Sequence, residues 1–191
     1  WNKKGKDGYK IPRSDVIPGK AENNMTEPGA SWKYLRDPEN YDFRPKADSP
    51  LVNAGVKTTN YDLPSEDSNF NGIRYSGSAP DIGAYEHDRS FYWIPGRLEE
   101  TTSTPVPKNN AVNVLLDTDL MFLKAYKAER HEVWAGNDPN RLKKIKVIER
   151  PNENVINLPQ LKPGVTYYWR VDAVNENGIV KGNVWSFTTK D

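Results

Sequence analysis

Leu161-Lys-Pro-Gly-Val-Thr-Tyr-Tyr-Trp-Arg-Val-Asp-Ala-Val-Asn175, followed by Val184-Trp-Ser-Phe-Thr-Thr189, is the stretch that decides the fold. A Pro-Gly turn feeds a run in which Tyr167, Trp169, Val171 and Ala173 point one way and Thr166, Tyr168, Arg170 and Asp172 the other. A period of two is that of a strand with one face on a core and one on solvent. Further short runs precede it at the spacing of a β-sandwich: Val112–Val114, Asp119–Lys124, His131–Ala135, Lys143–Glu149 and Val155–Leu158. Turn residues separate them, as in Asn137-Asp-Pro-Asn140, Pro151-Asn152 and Asn175-Glu-Asn-Gly178. Leu120, Phe122, Val133, Ile145, Val147, Ile156, Trp169, Val171 and Phe187 are the expected filling between two sheets. At roughly 1.5–3 kcal/mol for each large side chain, that burial sustains a small domain against chain entropy.

Composition bounds the rest. In 191 residues, 27 basic side chains face 26 acidic ones, leaving a net charge of +1. That balance gives no electrostatic case for a nucleic-acid partner or an anionic membrane surface. The absence of cysteine excludes disulfides, thiolate zinc sites and thiol catalysis, though not export. No apolar run approaches the roughly 20 residues of a membrane-spanning helix, so no membrane insertion is expected. The chain opens on Trp1, and its methionines are Met25 and Met121. The expectation is a chain trimmed from a longer product.

Helical periodicity is almost absent. Residues 1–30 and 31–95 read as turns and extended segments rich in Gly, Pro, Lys and Asn, with Asp-Pro at 37–38, Ser-Pro at 49–50 and Ala-Pro at 79–80. Gly96 through Lys108 is poor in apolar residues and carries two prolines near its end, so residues 97–108 read as a semi-extended linker. The expected organisation is a first unit at 1–96, that linker, and a sandwich at 109–191.

Two resemblances sharpen this reading. Residues 105–190 resemble a bacterial fibronectin type III domain, on Leu161-x-Pro163-Gly164-x-x-Tyr167, Ala173-Val-Asn175 and Trp185-Ser-Phe-Thr-Thr189. The resemblance implies that Tyr167 forms a tyrosine corner. Phe122 stands where that family commonly has Trp. Residues 30–96 resemble the closing segment of secreted right-handed parallel β-helix proteins, a group that includes polysaccharide lyases. The resemblance lies in Asn40-Tyr-Asp-Phe-Arg-Pro-Lys-Ala-Asp-Ser-Pro-Leu-Val-Asn-Ala-Gly55, Asp67 to Arg74, Ala79-Pro-Asp-Ile-Gly-Ala-Tyr-Glu86 and Tyr92-Trp-Ile-Pro-Gly96. The implied fold is all-β: the terminal coil and cap of a right-handed parallel β-helix, then a fibronectin type III-like antiparallel sandwich. A last coil without its neighbours bares an apolar face and a strand edge. The first unit is therefore expected to pack against the upstream β-helix portion of the same protein or against the sandwich.

Asp67-x-Asn69-x-Asn71-Gly72-Ile73 follows the opening of a calcium loop, with oxygen ligands at Asp67, Asn69 and Asn71. The glutamate expected at the twelfth position is replaced by Ser78, which favours a plain tight turn over calcium. Arg74, Asp81 and Glu86 belong to the β-helix phrase. They read either as a base beside carboxylates or as an ion-paired clamp on the last coil, and the clamp is preferred, because catalytic residues of such solenoids lie on mid-stack coils. His87 and His131 fall in different domains and support no triad. Trp32, Tyr34, Tyr41, Tyr61, Tyr75, Tyr92, Trp93 and Trp134 sit in polar contexts and offer either sugar-stacking faces or loop packing. Junction packing is expected for Tyr92 and Trp93.

The reading is a non-catalytic C-terminal portion of a secreted or surface-attached bacterial β-helix protein that processes or binds polysaccharide. It caps the solenoid and acts as a spacer. The parent implied by the resemblance is lyase-like, and no catalytic constellation is legible in this chain. Two other classes stand beside it: an adhesive surface protein without an enzymatic parent, and a carbohydrate-binding module.

Overall fold

The computed structural model describes residues 30–56, 75 and 77–191. They divide into two compact units: 37–42 with 89–191 form the second, and the remaining described residues form the first. The described chain is nearly all β, with a single five-residue helix, α1 at Ala30–Tyr34. None of its helices is long and apolar enough to cross a membrane.

β1 (Leu35–Asp37) and β2 (Asp42–Pro45) pair as a two-stranded sheet around the short 3-10 turn Pro38–Asn40. Tyr41 closes that turn in a left-handed conformation, φ 74°, and donates its N–H to Pro38 O. In the first unit, Leu51–Gly55 is tied to Ala79–His87 by Ile82 N to Leu51 O at 2.8 Å and Gly55 N to Pro80 O at 2.7 Å. Gly55 is required there, since a Cβ would stand 2.7 Å from Pro80 O.

The second unit is an antiparallel, fibronectin type III-like β-sandwich. Its smaller sheet has the order β3 (Ser103–Val106), β5 (Asp119–Leu123), β8 (Val155–Asn157). The larger runs β4 (Ala111–Val114), β11 (Trp185–Thr189), β9 (Thr166–Asn175), β6 (Arg130–Gly136), β7 (Lys143–Ile148), with β10 (Gly178–Val180) also on β9. Every pairing is antiparallel except β4 with β11. β9 is the longest described strand, and its inner face is as expected: Trp169 and Val171 are fully buried, with Tyr167 packed on the same core, while Asp172 and Val174 on the other face are buried too. Leu120, Phe122, Val133, Ile156 and Phe187 meet them from both sheets.

Three differences from the sequence reading have physical causes. Ile145 and Val147, expected in the core, are 45 % and 40 % exposed. β7 is the last strand of its sheet; the register with β6 skips Ile145, and Val147 lies opposite Glu132 on the outer face. Their places are taken by Ile148, Val114, Leu161 and Trp185. Ser103–Val106, read as linker, is a strand on β5 with Val106 buried, because an edge strand tolerates the Pro at 105. Gly178, the last residue of the expected turn at Asn175–Gly178, opens the strand Gly178–Val180, which completes a hairpin with the end of β9.

The turn before β9 shows why its sequence is specific. Gly164 adopts φ +63°, which only a residue free of Cβ strain takes readily. Lys162 N donates to Tyr167 Oη at 3.0 Å, so the ring that covers the core edge also holds the turn. Thr189 Oγ1 accepts from Val165 N and donates to Lys162 O, which locks the end of β11 into the same corner.

Asn154, silent in the sequence, is a buried bracket. Its Oδ1 accepts from Tyr92 N at 2.7 Å, and its Nδ2 donates to Tyr92 O and Phe122 O at 2.7 and 2.8 Å. Tyr92 is itself buried, with its Oη donating to Tyr41 O, whereas Trp93 is half exposed. Asn154→Ala removes three hydrogen bonds from a dry site and is expected to cost about 2–4 kcal/mol by urea unfolding; a loss near zero would show that the bracket is redundant.

His131 lies between the sheets, edge-on to Phe122 at 5.0 Å, with both ring nitrogens buried and unpartnered. Burial, aided by Lys124, pushes its pKa down from 6.5 to about 4. The unfolded chain takes its proton near 6.5 while the folded one resists, so stability drains as pH falls from about 6.5 to 4, by about 3 kcal/mol. His131→Leu is expected to flatten that acid limb and to gain about 1 kcal/mol at pH 7. Unfolding midpoints at pH 7 and 4.5 check both; an unchanged acid slope would contradict them.

Candidate functional site

The larger sheet of the second unit turns a polar face outward, organised around Trp134 on β6. Its direct cross-strand neighbours are Lys144 on β7 and Arg170 on β9. Lys144 Nζ and Arg170 Cζ each stand 5.2 Å from the ring centroid, within cation–π range. Two residues along, Glu132 lies directly opposite Asp172, an arrangement of like charges that strands resist. Each carboxylate is neutralised. Lys144 Nζ meets Glu132 at 2.8 Å, and Arg170 forks onto Asp172 at 2.7 and 3.0 Å. Asp172 Oδ1 also accepts from Gly182 N. Trp134 is half buried under these cations, so its ring is less open than a bare stacking platform.

On the other side of β7 the two sheets part. The smaller sheet ends at β8, and an open, mainly apolar cleft of about 280 Å³ remains between β7 and β8. Leu120, Ile156 and Trp169 line its floor, with Ile145, Lys146 and Asn157 at its mouth. Lys146 reaches it because it pairs with Val133, whose side chain points into the core; Lys143 pairs with Ala135 and shares that face. Among the described residues, the side chain of neither lysine makes an ion pair or a hydrogen bond. This differs sharply from Lys144 one position away.

The acidic residues singled out in the sequence occupy a third place, in the first unit. Asp81 and Glu86 are buried. Asp81 Oδ1 accepts from Asn53 N at 2.8 Å, and Oδ2 from His87 N at 2.8 Å with His87 Nδ1 at 3.0 Å. Glu86 Oε1 accepts from Asp81 N at 3.0 Å. Asn53 Oδ1 adds bonds from Ser78 N and Ala79 N. Each carboxylate thus accepts at least one backbone N–H, and Asp81 also meets the His87 ring. Asp67, Asn69, Asn71 and Arg74 lie outside the described residues, as does Tyr61. Among the described residues no three His, Cys, Asp or Glu side chains gather as metal ligands. Trp32, Tyr41 and Tyr75 are exposed and Tyr34 is half buried. The cleft and the Asn154 bracket carry no sequence pattern of their own, whereas Asn53 and its partners Ala79 and Asp81 fall inside the β-helix-like phrase; the outer lattice was legible only as the polar half of the β9 alternation.

No protein family model matches the chain, and no curated protein matches it. Among solved structures, an α-L-rhamnosidase from Streptomyces avermitilis is similar at 11 % identity and TM-score 0.38 over 47 % of this chain, which spans 10 % of that enzyme. A fibronectin type III-like protein from Clostridium thermocellum is similar at 14 % identity and TM-score 0.37, covering 50 % of this chain and 97 % of that one. FN3tt is similar at 22 % identity and TM-score 0.35, covering 47 % and 96 %.

The charge lattice generates an unequal pair of expectations. Arg170 is 13 % exposed and holds a buried carboxylate with two bonds, while Lys144 is 40 % exposed. Arg170→Ala strips two bonds from Asp172 and is expected to cost about 2–4 kcal/mol; Lys144→Ala strips one bond from the likewise buried Glu132, by a cation that is itself partly exposed, and is expected to cost less, about 1–2 kcal/mol. Equal losses in chemical denaturation would contradict the geometry.

Proposed function

We propose that this chain is a non-catalytic C-terminal portion of a secreted or surface-attached bacterial β-helix protein that processes or binds polysaccharide. Its first unit closes the solenoid, and its sandwich serves as spacer and interaction module. The observation that carries the reading is the fate of Asp81 and Glu86: their oxygens are engaged by the N–H groups of Asn53, His87 and Asp81 itself. Carboxylates spent on fastening Leu51–Gly55 to Ala79–His87 suit the closing phrase of a stack, which must satisfy its own ends. In the sandwich, Glu132 and Asp172 are likewise held by Lys144 and Arg170, so the charges there shape a surface instead of meeting at a reacting bond. The resemblance of residues 30–96 to closing segments of polysaccharide-acting β-helices supplies the substrate class.

Polygalacturonate and alginate, offered separately to the purified chain, test this. Retention on one of them in affinity electrophoresis without any release of reducing ends is the expected result. Cleavage by this chain alone would overturn the non-catalytic reading, and failure to be retained on either would remove the polysaccharide from it.

A further inference from the structure

β7 is an unclosed strand. It ends the order of the larger sheet, no described strand pairs with its far edge, and Lys143 through Val147 are all exposed. Such an edge offers a row of backbone donors and acceptors to any extended chain that can lie beside it. What lies beside it here is the apolar cleft, lined by Ile145 and floored by Leu120, Ile156 and Trp169. A strand added to β7 would point every second side chain over that cleft. The lysines select what such a strand carries. Lys144, on the outer face, is already matched by Glu132. Lys143 and Lys146, on the cleft-facing side, have no acidic partner among the described residues, and they flank the bulged Ile145. Lysines on an edge discourage a second copy of the same strand, because like charges would meet across the new pairing. Toward an acidic strand the same charges attract.

We infer that β7 and its cleft form a docking site for an extended acidic segment of a partner protein. On its cleft-facing side the segment carries an apolar residue flanked at i−2 and i+2 by carboxylates. The apolar side chain fills the cleft, the two carboxylates meet Lys143 and Lys146, and main-chain bonds to β7 supply the register.

Two acetylated, amidated heptapeptides of identical composition test this with the full chain: Thr-Glu-Thr-Leu-Thr-Glu-Thr, and Thr-Thr-Glu-Leu-Glu-Thr-Thr, in which the carboxylates turn to the opposite face. Titration followed by amide shifts is expected to perturb residues 143–147 and the cleft with the first peptide, and to show the second binding about tenfold more weakly. The exposed double substitution Lys143→Glu with Lys146→Glu is expected to abolish the preference and to favour the peptide with Lys in place of Glu. Equal binding of the two peptides would overturn the site, as would shifts confined to other surfaces or no response at millimolar peptide. Concentration-dependent self-association mapped to β7 would also overturn it, by making a second copy the occupant.

Discussion

Everything in the second unit depends on Trp169 being held dry between two sheets. It sits mid-strand on β9, fully buried, with the Trp185 ring edge-on at 4.7 Å and Val171 beside it. β9 is bonded on one side to β11 and on the other to β6, so one buried ring fixes the inner face of three strands at once. A one-residue slip would carry Tyr168, Arg170 and Asp172 together into that space, placing a charged pair where the ring now sits. The apolar face and the Arg170–Asp172 fork are therefore two sides of one register. The corner at Lys162, Gly164, Tyr167 and Thr189 sets where that register begins.

From that constraint follows a sandwich whose two flanks differ. On the β4–β11 side the sheet continues into a parallel pair, and Asn109 and Asn110 bond back to Ser186. On the β7 side nothing described closes it. Along β7, Ile148 packs in the core, while Ile145 and Lys146 meet a cleft instead of a second layer. Charge follows the same division. The outer face is a neutral lattice around Trp134, while the unmatched cations gather at the open flank.

The sandwich was legible in the sequence because alternation is a local signal. Seven strands stood within about two residues of their positions, and β9 ran from Thr166 to Asn175 as read. Alternation says which side of a strand is apolar, but not whether another layer lies over it. That is why Ile145 and Val147 were misplaced on an edge strand, and why Val114 and Trp185 were passed over. β3 was hidden by prolines that an edge strand tolerates. The cleft and the Asn154 bracket are products of chain segments distant in sequence, such as Tyr92 and Asn154, 62 positions apart, and no spacing announces them. His131 is similar: its ring looks like any other histidine until Phe122 and the opposite sheet enclose it.

The most direct check on the role of Trp169 is native-state hydrogen exchange of the whole chain, resolved by residue. If β9 carries the register of the sandwich, the amides of Val171 and its neighbours in β9 and β6 open only with global unfolding, while those of Lys143 to Val147 exchange through local opening at the free edge. Exchange in β9 as fast as in β7 would contradict the account.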